Sequence, residues 1–469
     1  MKTVGYTRRN FLKTVGLSAA SLAVPGCASG AQRMSLRAST DKPNFIIIFT
    51  DDQGYQDVGC FGSPNIKTPN LDRMAAEGMK FTDFYVAASV CSPSRAALLT
   101  GCYPPRVGIT KVLFPRDNIG LNPDEVTIAD VLKSRDYVTA CVGKWHLGHL
   151  PQFLPTSNGF DSYFGIPYSN DMDGVKGKNR NLDRAWRQKD YSPWNVPLMR
   201  DEKIIERPAN QTTLIERYTQ EAVRFIHKNR NKPFFLYLPH TMPHIPLFVS
   251  DEYFVDDVHK AYKATIEQID SSVGRILESL KKAGVDRNTL VVFTSDNGPW
   301  LSKKHHGGSA LPLRDGKFST YEGGMREPTI MRWPGKIPDG KVCGEVCGTI
   351  DLLPTFAQLA GAKLADDRVI DGKDIWSLMS GKPGAKSPHK AFFYYRGNNL
   401  EAVRSGKWKL RRMKGTELYD LEDDISEKNN LTVKHPDMVT RLTDIMDEFD
   451  RELKANVRPP WRAADKKQS

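Results

Sequence analysis

The sequence predicts an α/β fold, with a large mixed but mainly parallel sheet flanked by helices, followed by a smaller antiparallel sheet with a closing helix. Three observations carry this. Asn44 to Thr50 and Thr289 to Thr294 are short apolar, β-branched runs of the kind that form strands buried on both faces of a parallel sheet. Stretches with helical periodicity separate such runs. After Gly361 the texture changes: Ala391 to Arg396 and Leu400 to Arg412 read as antiparallel strands around a turn at Gly397-Asn398-Asn399, and Glu417 to Leu421 as a third. An amphipathic helix from Pro436 to Leu453 closes the chain. The main domain is therefore expected over residues 42–365 and the smaller α+β unit over 366–455, with a loose polar tail from Asn456.

With 469 residues and 39% hydrophobic content the chain can bury a large core and is not a disordered protein. Its net charge of +12 includes Lys2, Arg8, Arg9, Lys13 and Arg33 in an acid-free start, so the remainder is only modestly basic. That surplus suits an anionic substrate, and no nucleic-acid partner is expected. Residues 1–33 read as a signal and linker. Thr7-Arg8-Arg9-Asn10-Phe11-Leu12-Lys13 resembles a twin-arginine export signal, ahead of a small apolar run from Val15 to Val24. An exported protein, periplasmic or at the surface of a bacterium, is expected, delivered by the twin-arginine machinery. Val24-Pro25-Gly26-Cys27 loosely matches a lipoprotein cleavage box weakened by its proline, which leaves a lipid anchor at Cys27 as the alternative. No later stretch reaches the roughly 18 apolar residues of a bilayer span. The seven cysteines form neither a disulfide framework nor a zinc pattern, and Cys343 and Cys347 are expected to stay reduced.

Taken in order, the first buried strand ends in Asp51-Asp52-Gln53-Gly54, which puts two carboxylates where open α/β sheets place their ligands. Thr68 to Gly78 reads as a helix stopped by its glycine, and Met79 to Val86 as the next strand. Cys91-Ser92-Pro93-Ser94-Arg95 then opens a helix that Gly101 stops, with Ser92 as N-cap and Pro93 at the first helical position. Cys91 would sit at the positive end of that helix with Arg95 about one turn on, a setting that makes a thiol reactive. Thr127 to Lys133 is an amphipathic helix leading into the strand Tyr137 to Val142. Lys144 and His146 of Gly143-Lys144-Trp145-His146 would point to one side of an extended segment. Residues 172–210 are polar and without period, and read as a loop over a site mouth. Thr213 to Asn229 is a helix and Pro233 to Leu238 a buried strand, which runs into Pro239-His240-Thr241-Met242-Pro243-His244. Ala261 to Ala283 is the longest helix and carries Asp270, read as structural. Finally Ser295-Asp296-Asn297-Gly298 mirrors the first acidic turn. Asp51, Asp52, Asp296 and Asn297 are an all-oxygen set that suits calcium or magnesium and disfavours zinc.

The cysteine motif, with Ala96-Ala97-Leu98-Leu99-Thr100-Gly101 behind it, resembles the signature of the type I sulfatases. It does not fit the cysteine phosphatases, which keep five residues between cysteine and arginine where this chain has three. The resemblance extends over roughly residues 42–455. It includes Gly143-Lys144-Trp145-His146-Leu147-Gly148, the Gly165 to Asp171 stretch, and Arg314 to Pro328. It implies an alkaline-phosphatase-like sandwich, oxidation of Cys91 to formylglycine by a maturation machinery, and one divalent cation, calcium before magnesium, held by Asp51, Asp52, residue 91, Asp296 and Asn297.

The resemblance also implies the roles. Hydrated formylglycine is the nucleophile, and Arg95, Lys144 and Lys317 stabilise charge on the sulfuryl oxygens. His244, chosen over His240 by its place before the x-Pro pair, protonates the leaving alcohol, and His146 takes the proton that expels sulfate. Ser169, Asn170, His305 and His306 are expected at the substrate. The expected activity is hydrolysis of sulfate monoesters, exo-acting on sulfated glycans. Three alternatives stay open: a broad aryl sulfate hydrolase, a phosphodiesterase or phosphonate hydrolase of the same superfamily, and a non-catalytic sulfated-glycan binder. Intact Lys144, His146 and His244 speak against the binder, which has no use for acid–base groups.

Overall fold

A computed structural model describes residues 42–463. Strands β1 (Asn44–Thr50), β2 (Val138–Val142), β3 (Phe234–Pro239) and β4 (Thr289–Ser295) form the parallel centre of a ten-stranded sheet, in the order β4-β1-β3-β2. Ser162–Gly165 adds a further parallel strand beside β2. The sheet is mixed because Thr329–Arg332 runs antiparallel beside β4, and Leu198–Arg200 and Lys203–Glu206 form an antiparallel far edge.

Side chains of a strand alternate between faces, and here both faces are dry. Phe45, Ile47 and Phe49 enter one core, packed under the helices Cys91–Thr100 and Leu352–Leu359. Ile46 and Ile48 enter the other, under Pro69–Ala76, Leu214–Asn229 and Ala261–Ala283. All five are 0% exposed, so each contributes roughly 1.5–3 kcal/mol of apolar burial. Asp270 is structural, as its place in the long helix suggests. Its carboxylate accepts from the backbone N–H of Asn70 and Leu71 and so caps the helix Pro69–Ala76.

The C-terminal sheet has four antiparallel strands, Phe392–Arg396, Asn399–Ser405, Trp408–Arg412 and Thr416–Asp420, under the helix Pro436–Ala455. Leu400 to Arg412, expected as one strand, is two, because Gly406, at φ +57°, turns the chain there. Met79 to Val86 is likewise two short strands, Met79–Phe81 and Phe84–Tyr85. Residues 172–210 are not a bare loop, since they contain the helix Leu182–Gln188 and the two edge strands. Nor is the tail loose as far as residue 462. Arg458 pairs with Glu125, and Trp461–Arg462 pairs with Ile119–Gly120. The expected export signal and Cys27 lie outside the described residues. Among the described residues, no helix is long and apolar enough to cross a membrane, and all six cysteines are free, Cys343 and Cys347 included.

The C-terminal sheet is anchored to the main domain by buried charge. Lys409, 0% exposed, meets Glu322 at 2.9 Å and Glu427 at 2.8 Å, and Glu322 also accepts from Tyr85 and Tyr394. Burial opposes ionisation of Glu322, but Lys409 and two arginines outweigh it and hold the carboxyl down at about 2. Lys409→Met would leave the buried Glu427 carboxyl without its cation and take from Glu322 the nearest of its three. It is expected to cost roughly 3–5 kcal/mol, read as a lower urea midpoint.

Candidate active site

The four central strands end on one side of the sheet, and the chain leaving each end carries a polar group inward. Asp51 and Asp52 follow β1, Lys144 and His146 follow β2, His244 follows β3, and Asp296 and Asn297 follow β4. The loop after β2 lies so close to β3 that Lys144 N–H donates to the Pro239 carbonyl at 2.7 Å. Only glycine fits before it: at Gly143, φ +135°, a Cβ would stand 1.9 Å from that same oxygen.

Cys91 is the first residue of its helix, and the N-cap is Val90 with no side-chain cap. Ser92, expected as the cap, lies inside the helix, and its hydroxyl accepts from Leu113 N–H. The Cys91 Sγ lies 3.5 Å from Asp51 Oδ1 and 3.5 Å from Lys317 Nζ. The reactive thiol expected from the helix terminus is not what the site provides. Complete burial and the Asp51 carboxylate push the thiol well above its ordinary range, against the pull of Lys144 and Lys317. As encoded, Cys91 is a neutral thiol.

Around it the charges interlock. Arg95 donates to Asp51 at 2.9 Å and to Asp296 at 2.8 Å; Lys144 pairs with Asp51, and Lys317 with Asp52 at 2.6 Å. Burial opposes ionisation of Asp51, yet Lys144 and Arg95 outweigh it and hold that carboxyl far below the usual range. Burial and the neighbouring Asp51 push Asp296 up to about 6. Carboxylates crowded this closely repel, and a divalent cation would relieve them. The donor set fits one. Asn297 Oδ1 is buried without a hydrogen-bond partner, its Nδ2 is held by Asp52 Oδ1 at 2.7 Å, and Asp52 N–H donates to Asp296 Oδ1.

The two histidines differ. His146 Nε2 donates to the Leu113 carbonyl at 2.9 Å, which leaves Nδ1 as the bare nitrogen, buried and unpartnered. Burial, Lys144 and Arg95 push its pKa well down, so it is a neutral base. His244 instead gives Nδ1–H to the Ile245 carbonyl at 2.7 Å and turns Nε2 toward Asp52, 3.6 Å away. The segment after Gly143 is not extended, because His146 sits at φ +62°. Asp52 (+63°) and Phe318 (+73°) are also left-handed, so three such residues cluster at one site.

Of the residues expected at the substrate, Ser169 accepts from Lys144 at 3.0 Å. Asn170 is fully buried and bonds to the Pro246 carbonyl and to Gln211, so it holds the loop that carries His244. His305 and His306 both turn to Asp183, at 2.9 and 2.7 Å. Sequence reasoning missed three residues. Trp300 lies against His244, with ring centroids 5.7 Å apart, and under Lys317. Gln53 is buried with both amide atoms unpartnered, and so is the carboxyl of Glu327, whose pKa burial pushes well above the usual carboxyl range. Each sits within a few residues of a motif, but nothing in residue type distinguishes them from packing.

Comparison with known proteins identifies the family. A family model described as sulfatase matches residues 43–362, and one described as N-sulphoglucosamine sulphohydrolase, C-terminal, matches 314–456. N-acetylgalactosamine-6-sulfatase of Mus musculus is 42% identical over 380 residues, covering 78% of this chain and 71% of that protein. Arylsulfatase A of Homo sapiens is 40% identical over 390 residues, covering 78% and 74%. Among solved structures, Ps i-CgsB in complex with k-i-k-neocarrahexaose superposes with a TM-score of 0.77 at 35% identity, covering 88% of this chain and 94% of that one.

Proposed function

Because this chain belongs to the sulfatase family and is a sulfuric ester hydrolase, we propose that it removes sulfate from sulfated glycans, acting from the chain end. The observation that carries this reading is the convergence of Arg95, Lys144 and Lys317 on position 91, with a neutral base and a second histidine beside them. The sugar part is supported by relatives named for N-acetylgalactosamine 6-sulfate and by one solved with a neocarrahexaose.

Arg95, Lys144 and Lys317 would bind the sulfuryl oxygens and stabilise the charge that builds on them. His244 Nε2, the nitrogen left free by the Ile245 carbonyl, would carry the proton for the departing alcohol. His146 Nδ1 would accept a proton from residue 91 once the alcohol has left. Asp51, Asp52, Asp296, Asn297 and residue 91 would hold a divalent cation, calcium before magnesium. When bound, it supplies Lewis-acid polarisation of the sulfate and a lower pKa for the attacking hydroxyl. Formylglycine at position 91 would supply the nucleophile that the neutral thiol cannot. The amino-terminal Arg8-Arg9 stretch supports export through the twin-arginine route to a bacterial periplasm or surface.

Incubation with sulfated oligosaccharides of defined linkage, with ion chromatography of released sulfate, tests the function. Release from the terminal residue is expected; faster cleavage of phosphodiesters than of any sulfate ester would overturn it. Asp296→Ala is expected to bind calcium below one equivalent by elemental analysis and to lose turnover. A fully loaded, fully active variant would remove the metal site.

A further inference from the structure

We propose that the cleft between the Leu113–Arg116 loop and the 172–207 segment is a binding subsite for a second anionic sugar, next to the one being desulfated. This rests on the glycan reading above. The cleft encloses about 810 Å³, enough for a saccharide unit.

It shares two walls with the catalytic centre. On one wall, Leu113 accepts from His146 through its carbonyl, and Phe114 and Arg116, next along the chain, line the cleft. On the other, Tyr168 and Asp171 line the cleft and flank Ser169 and Asn170, which contact Lys144 and His244. The cleft is thus built on the two segments whose next residues contact His146, Lys144 and His244, and a sugar in it would lie next to the catalytic centre.

The lining has the chemistry of an anionic carbohydrate site. Arg207 is already committed to Asp173 at 2.6 Å. Arg116 and Arg180, both exposed, make no ion pair among the described residues, and the Arg180 guanidinium lies against the backbone of Gly174. Two uncommitted guanidiniums in one concavity suit a sulfate or a uronate carboxylate, which each can grip with paired N–H donors. Phe114 is 55% exposed and offers a flat apolar face to a pyranose ring.

The test compares the wild-type enzyme with the double variant Arg116→Ala/Arg180→Ala on singly sulfated monosaccharides and on multiply sulfated di- and trisaccharides. Both side chains are exposed, so folding should be unaffected, and thermal melting checks this. For the wild type, KM is expected to fall with the second charged unit, and the gain to shrink with added salt. In the double variant KM on the longer substrates is expected to rise by about tenfold to a hundredfold, with kcat and the monosaccharide constants unchanged. A wild-type KM that does not depend on length, or a double variant that keeps the gain, overturns the subsite and leaves the glycan reading standing. A wild-type enzyme that desulfates no saccharide at all overturns the glycan reading and the subsite together.

Discussion

Cys91→Ala is expected to reduce sulfate-ester turnover by on the order of 10⁴-fold or more, because it would remove the proposed nucleophile and leave the rest of the site in place. Peptide mass analysis of the wild type from cells that carry the maturation machinery is expected to find formylglycine at this position. The structural ground is the state of the unmodified side chain. Its thiol is buried, faces Asp51, and is held neutral, so the cations aimed at it would find no thiolate. They are suited instead to an oxygen nucleophile and an arriving anion. Full activity from protein with only the thiol at Cys91 would sink this reading.

The histidines should fail in different ways. His146→Ala is expected to release about one equivalent of alcohol and then stop, because in the proposed mechanism its bare Nδ1 would act after the alcohol has gone. His244→Ala is expected to slow the release itself by ~10²–10⁴-fold for a sugar sulfate, and much less for a nitrophenyl sulfate, whose alcohol leaves without help. Rapid-quench kinetics on both substrates separates the two. A stoichiometric burst from the His244 variant and none from the His146 variant would mean that the roles are reversed. The distinction comes from the Leu113 and Ile245 carbonyls, which fix opposite ring nitrogens.

Local pattern was enough for much of this protein. The strands that end in Asp51-Asp52 and Asp296-Asn297 are legible because a strand buried on both faces must be continuously apolar, and a polar turn straight after it is conspicuous. Cys91, Arg95, Lys144, His244 and Lys317 were legible from motif, and the structure brings all five together although Cys91 and Lys317 are 226 residues apart. Only the tertiary structure decided the electrostatics. A helix N-terminus alone argues for a reactive thiol, but burial and the carboxylate arriving from β1 reverse the sign, and no local window contains both. The same reason ties Asn170 to the Pro246 carbonyl, turns His305 and His306 toward Asp183, and ties the tail at Arg458 to Glu125. A polar side chain's partner is set by whatever the fold places beside it, whereas an apolar run needs only a core.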